Sequence, residues 1–181
     1  MQKTCVFIIG TNGVGKTTLA KRLINDFGGI AAYKDKITYC NDGRACFVGR
    51  YEGVKFGGVD GLNNTTQLAA HVKTGLNTRE VVFCEGKYIK SFSINMTNAM
   101  FQAKRGVVIF LYAPVSVLNE RLRGRAGGGG MTEHVWKDQK AVARTAKKWQ
   151  EIGVKLVQFD TSQTTTEYIA NKVKETVYGV L

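Results

Sequence analysis

Residues Gly10 to Thr17 read Gly-Thr-Asn-Gly-Val-Gly-Lys-Thr, and this octapeptide restricts the fold more than any other stretch of the chain. The pattern is a Walker A loop with flanks of the kind such a loop needs. Ahead of it, Thr4-Cys5-Val6-Phe7-Ile8-Ile9 is a short apolar, β-branched run, as expected of a strand buried on both faces. Behind it, Thr17–Phe27 sets Leu19, Leu23 and Ile24 at helical spacing. The glycines let the loop curl until backbone N–H groups converge on phosphate oxygens, and the helix N-terminus adds partial positive charge. In such a loop Lys16 reaches the β- and γ-phosphates and the Thr17 hydroxyl is placed for Mg²⁺. Gly10, Thr11, Asn12, Gly13, Val14, Gly15, Lys16, Thr17 and Thr18 are therefore expected to hold a nucleoside triphosphate.

The rest of the 181 residues repeats the same alternation. Strand-like runs recur at Cys5–Ile9, Gly29–Tyr33, Val81–Glu85, Val107–Tyr112 and Val154–Phe159. Helical patterns lie between most of them, at Thr17–Phe27, Asn64–Leu76, Ile89–Lys104, Val115–Arg123, Glu133–Ile152 and Thr165–Tyr178. This order predicts a single α/β domain over 1–181, a three-layer α/β/α fold around a five-stranded parallel sheet. One segment breaks the rhythm: Lys36–Cys40, Asn41-Asp42-Gly43 and Arg44–Arg50 read as a β-hairpin inserted after the second strand. Near the carboxyl end of an open sheet, such an insertion is placed to select a substrate. Gly124 to Gly130 is the one low-complexity patch, and it follows Arg121-Leu122-Arg123-Gly124-Arg125. That combination predicts a small lid at about 121–132, with Arg121 and Arg125 neutralising charge on a transferred group.

Composition narrows the class. No run approaches the roughly 18 apolar residues of a membrane span, and the first strand begins too early to follow a signal peptide. Cys5, Cys40, Cys46 and Cys84 form no C-x-x-C pair, which fits a reduced, cytoplasmic protein. Lys and Arg number 26 against 14 Asp and Glu, a net charge of +12. The excess is concentrated late, 15 basic to 7 acidic after residue 86 against 11 to 7 before it. A surplus of this size suits a polyanionic partner. In the helix Glu133–Ile152, a winding of about 100° per residue gathers Val135, Val142, Ala146 and Trp149 on one face. Lys137, Lys140, Arg144, Lys147 and Lys148 fall on the opposite face, a one-signed stripe of the kind that tracks a phosphate backbone.

A phosphoryl-transfer reading also needs carboxylates, to orient an acceptor hydroxyl and to hold Mg²⁺. Three are candidates. Asp35 follows the Gly29–Tyr33 strand and is the first choice for the acceptor base. Glu85 ends the Val81–Glu85 strand beside the first one, on the Mg²⁺ side with Thr17. Asp60 lies in the turn-rich Gly57-Gly58-Val59-Asp60-Gly61 and ranks third. The expected catalytic set is thus Lys16, Asp35, Asp60, Glu85, Arg121 and Arg125. His71 and His134 carry no assigned role.

With these residues in place, the chain resembles P-loop kinases of the nucleotide-kinase type. That resemblance implies strand order 2-3-1-4-5, ATP and Mg²⁺ as cofactors, and transfer to an alcohol group. The spacing from Lys16 to Asp35 and the Arg121–Arg125 cluster are similar to those of polynucleotide 5′-hydroxyl kinases. The segment Gly49-Arg50-Tyr51-Glu52-Gly53…Gly57-Gly58-Val59-Asp60-Gly61 looks more like bacteriophage kinases acting on 5-hydroxymethyluracil in DNA, which implies DNA as the partner. A small-molecule or mononucleotide kinase is the leading alternative, and a motor or binding-only ATPase a further one. No Asn-Lys-x-Asp guanine motif is present to support a GTPase.

Overall fold

The computed structural model describes residues 2–53, 57–62, 65–124 and 134–179. Seven strands form one sheet: β1 (Thr4–Ile9), β2 (Ile30–Lys34), β3 (Ile37–Cys40), β4 (Ala45–Val48), β5 (Val81–Glu85), β6 (Arg105–Tyr112) and β7 (Lys155–Asp160). Their order across the sheet is β2-β3-β4-β5-β1-β6-β7. The pairs β4–β5, β5–β1, β1–β6 and β6–β7 are parallel, while β2–β3 and β3–β4 are antiparallel. Five parallel strands thus carry the fold as expected, with two antiparallel strands added at one edge.

The helices are α1 (Lys16–Asp26), α2 (Leu68–Thr78), α3 (Ile94–Met100), α4 (Val115–Arg123), α5 (Val135–Glu151) and α6 (Thr166–Tyr178). Every residue of β1 is buried, and the two faces of the strand feed two cores. Val6 and Ile8 pack with Leu19 and Leu23 of α1, Leu118 of α4 and Val173 of α6. Cys5, Phe7 and Ile9 pack with Val72 of α2, Met96 of α3 and Trp149 of α5. This is the three-layer arrangement that a period-2 strand buried on both sides demands. In the second core the fully buried Trp149 meets the edge of Phe7 at 5.7 Å and of Phe92 at 4.8 Å, so α5 is anchored by one large aromatic side chain.

The second parallel strand needs a correction. It is β4 rather than the Gly29–Tyr33 run, which becomes β2 on the outer edge. The physical reason is burial. Ala45-Cys46-Phe47-Val48 is buried throughout, whereas Ile30-Ala31-Ala32-Tyr33-Lys34 is largely exposed. A strand inside a parallel sheet must be apolar along its whole length, and only the first of these is. Two tight turns make the meander. Asp35 and Lys36 take φ of 53° and 63° between β2 and β3, as a two-residue hairpin turn requires. Between β3 and β4, Asp42 Oδ1 accepts hydrogen bonds from the N–H groups of Arg44 (2.9 Å) and Ala45 (3.3 Å).

Arg125 and most of the lid expected at about 121–132 lie outside the described residues, as do Asn64 and Glu133, the first residues of two expected helices. Among the described residues no helix is long and apolar enough to cross a membrane. All four cysteines are free and buried. Burial pushes the thiols of Cys40 and Cys46 up to about 12, which keeps them protonated and poor nucleophiles at neutral pH.

Candidate active site

The phosphate loop leaves β1 at Gly10 and enters α1 at Lys16. Gly15 is the hinge: its φ of 100° lies in the region only glycine adopts freely, and there the chain turns to begin the helix. Lys16 is buried, and its ammonium donates to the carbonyls of Gly10 and Thr11 at 3.0 Å each. Burial lowers its pKa, opposed by the negative charges of Glu85 and Asp60. The Thr17 hydroxyl donates to Glu85 Oε1 at 3.1 Å. Glu85, at the carboxyl end of β5, is 1% exposed, and burial lifts its pKa to about 7 against the pull of Lys16. β5 lies directly beside β1 in register Ile8↔Glu85, so sheet pairing itself brings this carboxylate to the loop.

Asp60 reaches the same place by a different route. After β4, Arg50 bridges to Gly58, and a short 3-10 turn follows at Val59–Gly61, at the carboxyl end of β5. The Asp60 carboxylate accepts from the backbone N–H of Lys87 at 2.6 Å, which ties the turn to the residues just after β5. The approach is close enough to exclude side chains: a Cβ on Gly58 would collide with the carbonyl and carboxylate of Glu85. Tyr51, from the same connection, is 4% exposed, and burial raises its phenol well above the ordinary value. Its hydroxyl lies near Glu85 yet makes no hydrogen bond of ordinary geometry.

The expected catalytic residues therefore divide. Lys16, Thr17, Glu85 and Asp60 are brought together. Asp35 is not among them: on the β2–β3 turn it stands at the same end of the sheet but three to four strand spacings from β1, roughly 14–19 Å. Its position follows from the strand exchange above, since the strand it follows lies at the edge and not beside β5. Arg121, on α4, donates to the carbonyl and hydroxyl oxygens of Thr161 at 2.8 and 2.9 Å. It lines a cavity of about 250 Å³ with Gly13, Thr18, Thr164 and Ile169. That cavity runs from the loop to the β7–α6 connection. Lys137, Lys140, Arg144, Lys147 and Lys148 are exposed on α5, and the opposite face buries Val135, Val142, Ala146 and Trp149 as the spacing predicts.

Four participants were not anticipated: Tyr51, Lys87, Thr161 and the pair Lys90–Asp138, whose charges are felt at Lys16. Each lies at or just beyond the carboxyl ends of strands or on a helix facing them. The rule that ligands bind at the carboxyl ends of strands in open α/β sheets was the signal available for the first three.

The donor chemistry fits Mg²⁺. A hydroxyl and two carboxylates converge, and burial leaves Glu85 in want of a positive partner. Among the described residues no group of three or more His, Cys, Asp or Glu forms a metal cage. Mg²⁺ seldom needs one, being held by one or two carboxylates together with waters and phosphates.

Fold and site together define the architecture of P-loop nucleoside-triphosphate-binding proteins, of the shikimate- and nucleotide-kinase-like kind. No protein-family model matches the chain, and no curated protein matches it. Solved structures do. A crystal structure of the YorR protein of Bacillus subtilis in complex with phosphorylated GDP superposes with a TM-score of 0.60 at 14% identity, over 96% of this chain and 95% of that one. A sugar kinase from Janibacter sp. gives 0.55 at 14%, over 99% and 97%. Shikimate kinase from Acinetobacter baumannii in complex with shikimate gives 0.50 at 14%, over 98% and 94%. At these identities the likeness is one of fold.

Proposed function

We propose that this protein is an ATP-dependent kinase that transfers a phosphoryl group to a hydroxyl carried on a nucleic acid. The hydroxymethyl group of 5-hydroxymethyluracil in DNA is the first acceptor to test. The observation that carries the proposal is the pair of carboxylates at the carboxyl end of β5 beside the phosphate loop, Glu85 accepting from the Thr17 hydroxyl at 3.1 Å and Asp60 accepting from the Lys87 N–H at 2.6 Å. Phosphoryl transfer asks the protein mainly to position two oxygens and to neutralise the charge between them. Lys16 and the start of α1 bind the triphosphate; Thr17 and Glu85 are the residues to hold Mg²⁺, which when bound neutralises charge on the β- and γ-oxygens. Asp60, half-exposed beside them, takes the role of orienting the acceptor hydroxyl and receiving its proton, in place of Asp35. Arg121 belongs to the nucleoside side of the loop. Lys87 and Lys90 follow β5 next to Asp60, Lys90 pairs with Asp138 of α5, and the cationic stripe along that helix suits a polymer of phosphates. A base inside a duplex would have to be flipped out to reach the loop.

A second reading, a kinase of free nucleotides or small metabolites, draws support from the similar structures, which include a sugar kinase and a shikimate kinase. One experiment separates the two. The protein is incubated with γ-labelled ATP and Mg²⁺ and, in parallel, 5-hydroxymethyluracil DNA, 5′-hydroxyl DNA, free 5-hydroxymethyl-dUMP and ordinary deoxynucleoside monophosphates; products are digested to nucleosides. Label on the base of the modified DNA, absent with Lys16→Ala, is the expected outcome. Label at the 5′ end points to the polynucleotide-kinase alternative, and label confined to free nucleotides overturns the nucleic-acid assignment.

A further inference from the structure

A second cavity, of about 360 Å³, opens beside Lys90, between residues 90–92 and α5, and none of the roles above uses it. Ala141, Thr145 and Lys148, at helical spacing, form one wall; Ser91 and Phe92 form the other. Its charges do not balance, with Lys90, Arg144 and Lys148 set against Asp138 alone. Asp138 is already committed to Lys90 through a short hydrogen bond. Among the described residues Arg144 makes no ion pair or side-chain hydrogen bond, and Lys148 only approaches the ring of Phe92, at 5.8 Å. Phe92 is itself fixed, its ring edge-on to the buried Trp149.

Two uncompensated cations over a concave space with an aromatic wall and hydroxyl groups describe the chemistry of a nucleotide site. A guanidinium grips a phosphate in two places, and a rigid ring gives a base a surface to stack on. The position matters as much as the chemistry. Lys90, on the rim of the cavity, lies three residues after Lys87, whose backbone N–H holds the Asp60 carboxylate at 2.6 Å, so the cavity opens beside the acceptor side of the site. A phosphate and a base are also what a strand continuing past the acceptor site would place there.

We infer that this cavity is a subsite for a nucleotide neighbouring the acceptor in a single DNA strand, Arg144 and Lys148 holding its phosphodiester and Phe92 facing its base. The inference rests on the nucleic-acid reading above and adds where the strand runs. The decisive variant is Ala141→Trp, which fills the space without changing charge, from an exposed helix position. The companion is Arg144→Gln with Lys148→Gln. As a control, Lys104→Gln with Lys155→Gln removes the same charge at the amino end of the sheet. Affinity for a fluorescein-labelled single-stranded oligonucleotide is read by anisotropy at low salt, alongside displacement of a fluorescent ATP analogue and thermal melting. Both cavity variants should weaken oligonucleotide binding about tenfold or more, the control less than about twofold, with ATP-analogue affinity and melting unchanged. If Ala141→Trp binds and phosphorylates 5-hydroxymethyluracil DNA like the parent, the cavity assignment falls and the nucleic-acid reading stands. If the parent itself binds no oligonucleotide and labels only free nucleotides, both fall together.

Discussion

Burial changes the meaning of one ordinary residue. A carboxylate ending a strand would normally stay ionised, but Glu85 is sealed under the Gly57–Leu62 crossing and its pKa rises to about 7 from an ordinary 4.5. The folded chain therefore holds a proton that the unfolded chain releases above 4.5. The stability this group contributes is complete below about pH 4.5 and is lost as pH rises through 7, by up to about 3 kcal/mol. Without nucleotide or metal, the protein should become less stable across that window, and Glu85→Gln should flatten the profile and raise the melting temperature at pH 8. Urea denaturation at several pH values checks both; a parent profile flat between pH 4.5 and 7 would sink the idea. Asp60 yields the second residue-scale prediction. As acceptor base, its replacement by Asn should lower kcat by roughly 10²-fold or more, while Asp35→Asn, out on the edge turn, should stay within about threefold. Steady-state kinetics on the two variants would reverse the roles if the losses came out the other way.

The element on which the site depends is the crossing from β4 to α2, more than any helix. Its described residues bring Tyr51 and Asp60 to the end of β5, with so little clearance that Gly58 lies against Glu85 by its backbone. Gly58→Ala sets a Cβ against the Glu85 carbonyl and demands a φ of 68° from alanine. The expected result is loss of several kcal/mol of stability or a displaced Asp60, seen as a lower melting temperature with kcat down at least tenfold. Wild-type melting and turnover together would show that the crossing can move aside. The same element explains why the edge of the sheet was harder to read than its centre. β2, β3 and β4 are three short runs separated by tight turns, and alternation alone does not say which of them pairs with β5. That pairing joins Ala45 to Val81, 36 positions along the chain, and is decided by which run is apolar enough to be buried on both faces.

Over the whole molecule, the charge of +12 is sorted in space: cations line one exposed face of α5 while its other face anchors to Phe7 and Phe92 through Trp149. If that face meets DNA, affinity should fall steeply with salt, because each neutralised phosphate releases counterions. Replacing Lys140, Arg144 and Lys147 together by Ala should reduce the slope of log affinity against log salt by about 2 for a single strand, with ATP affinity unaltered. Binding titrations at four or five salt concentrations measure this directly. A parent slope near zero would mean that the charge excess has no polyanionic partner at this face.

The phosphate loop, four of the five parallel strands (β1, β5, β6 and β7) and the helix faces were legible in the sequence because each is written in contiguous residues, as a motif, an apolar run or a 3.6-residue period. Val81–Glu85 and Val115–Arg123 even match to the residue. Glu85 could be named because the end of a strand beside the loop is a place defined by topology. What tertiary structure alone decided is which distant residues share that place. Asp35 and Asp60 are both carboxylates in turns, and the sequence put Asp35 first and Asp60 third. One ended on the outer edge and the other at the end of β5 beside Glu85, since the first follows a strand too polar to enter the parallel sheet and the second follows glycines that let the backbone lie against β5.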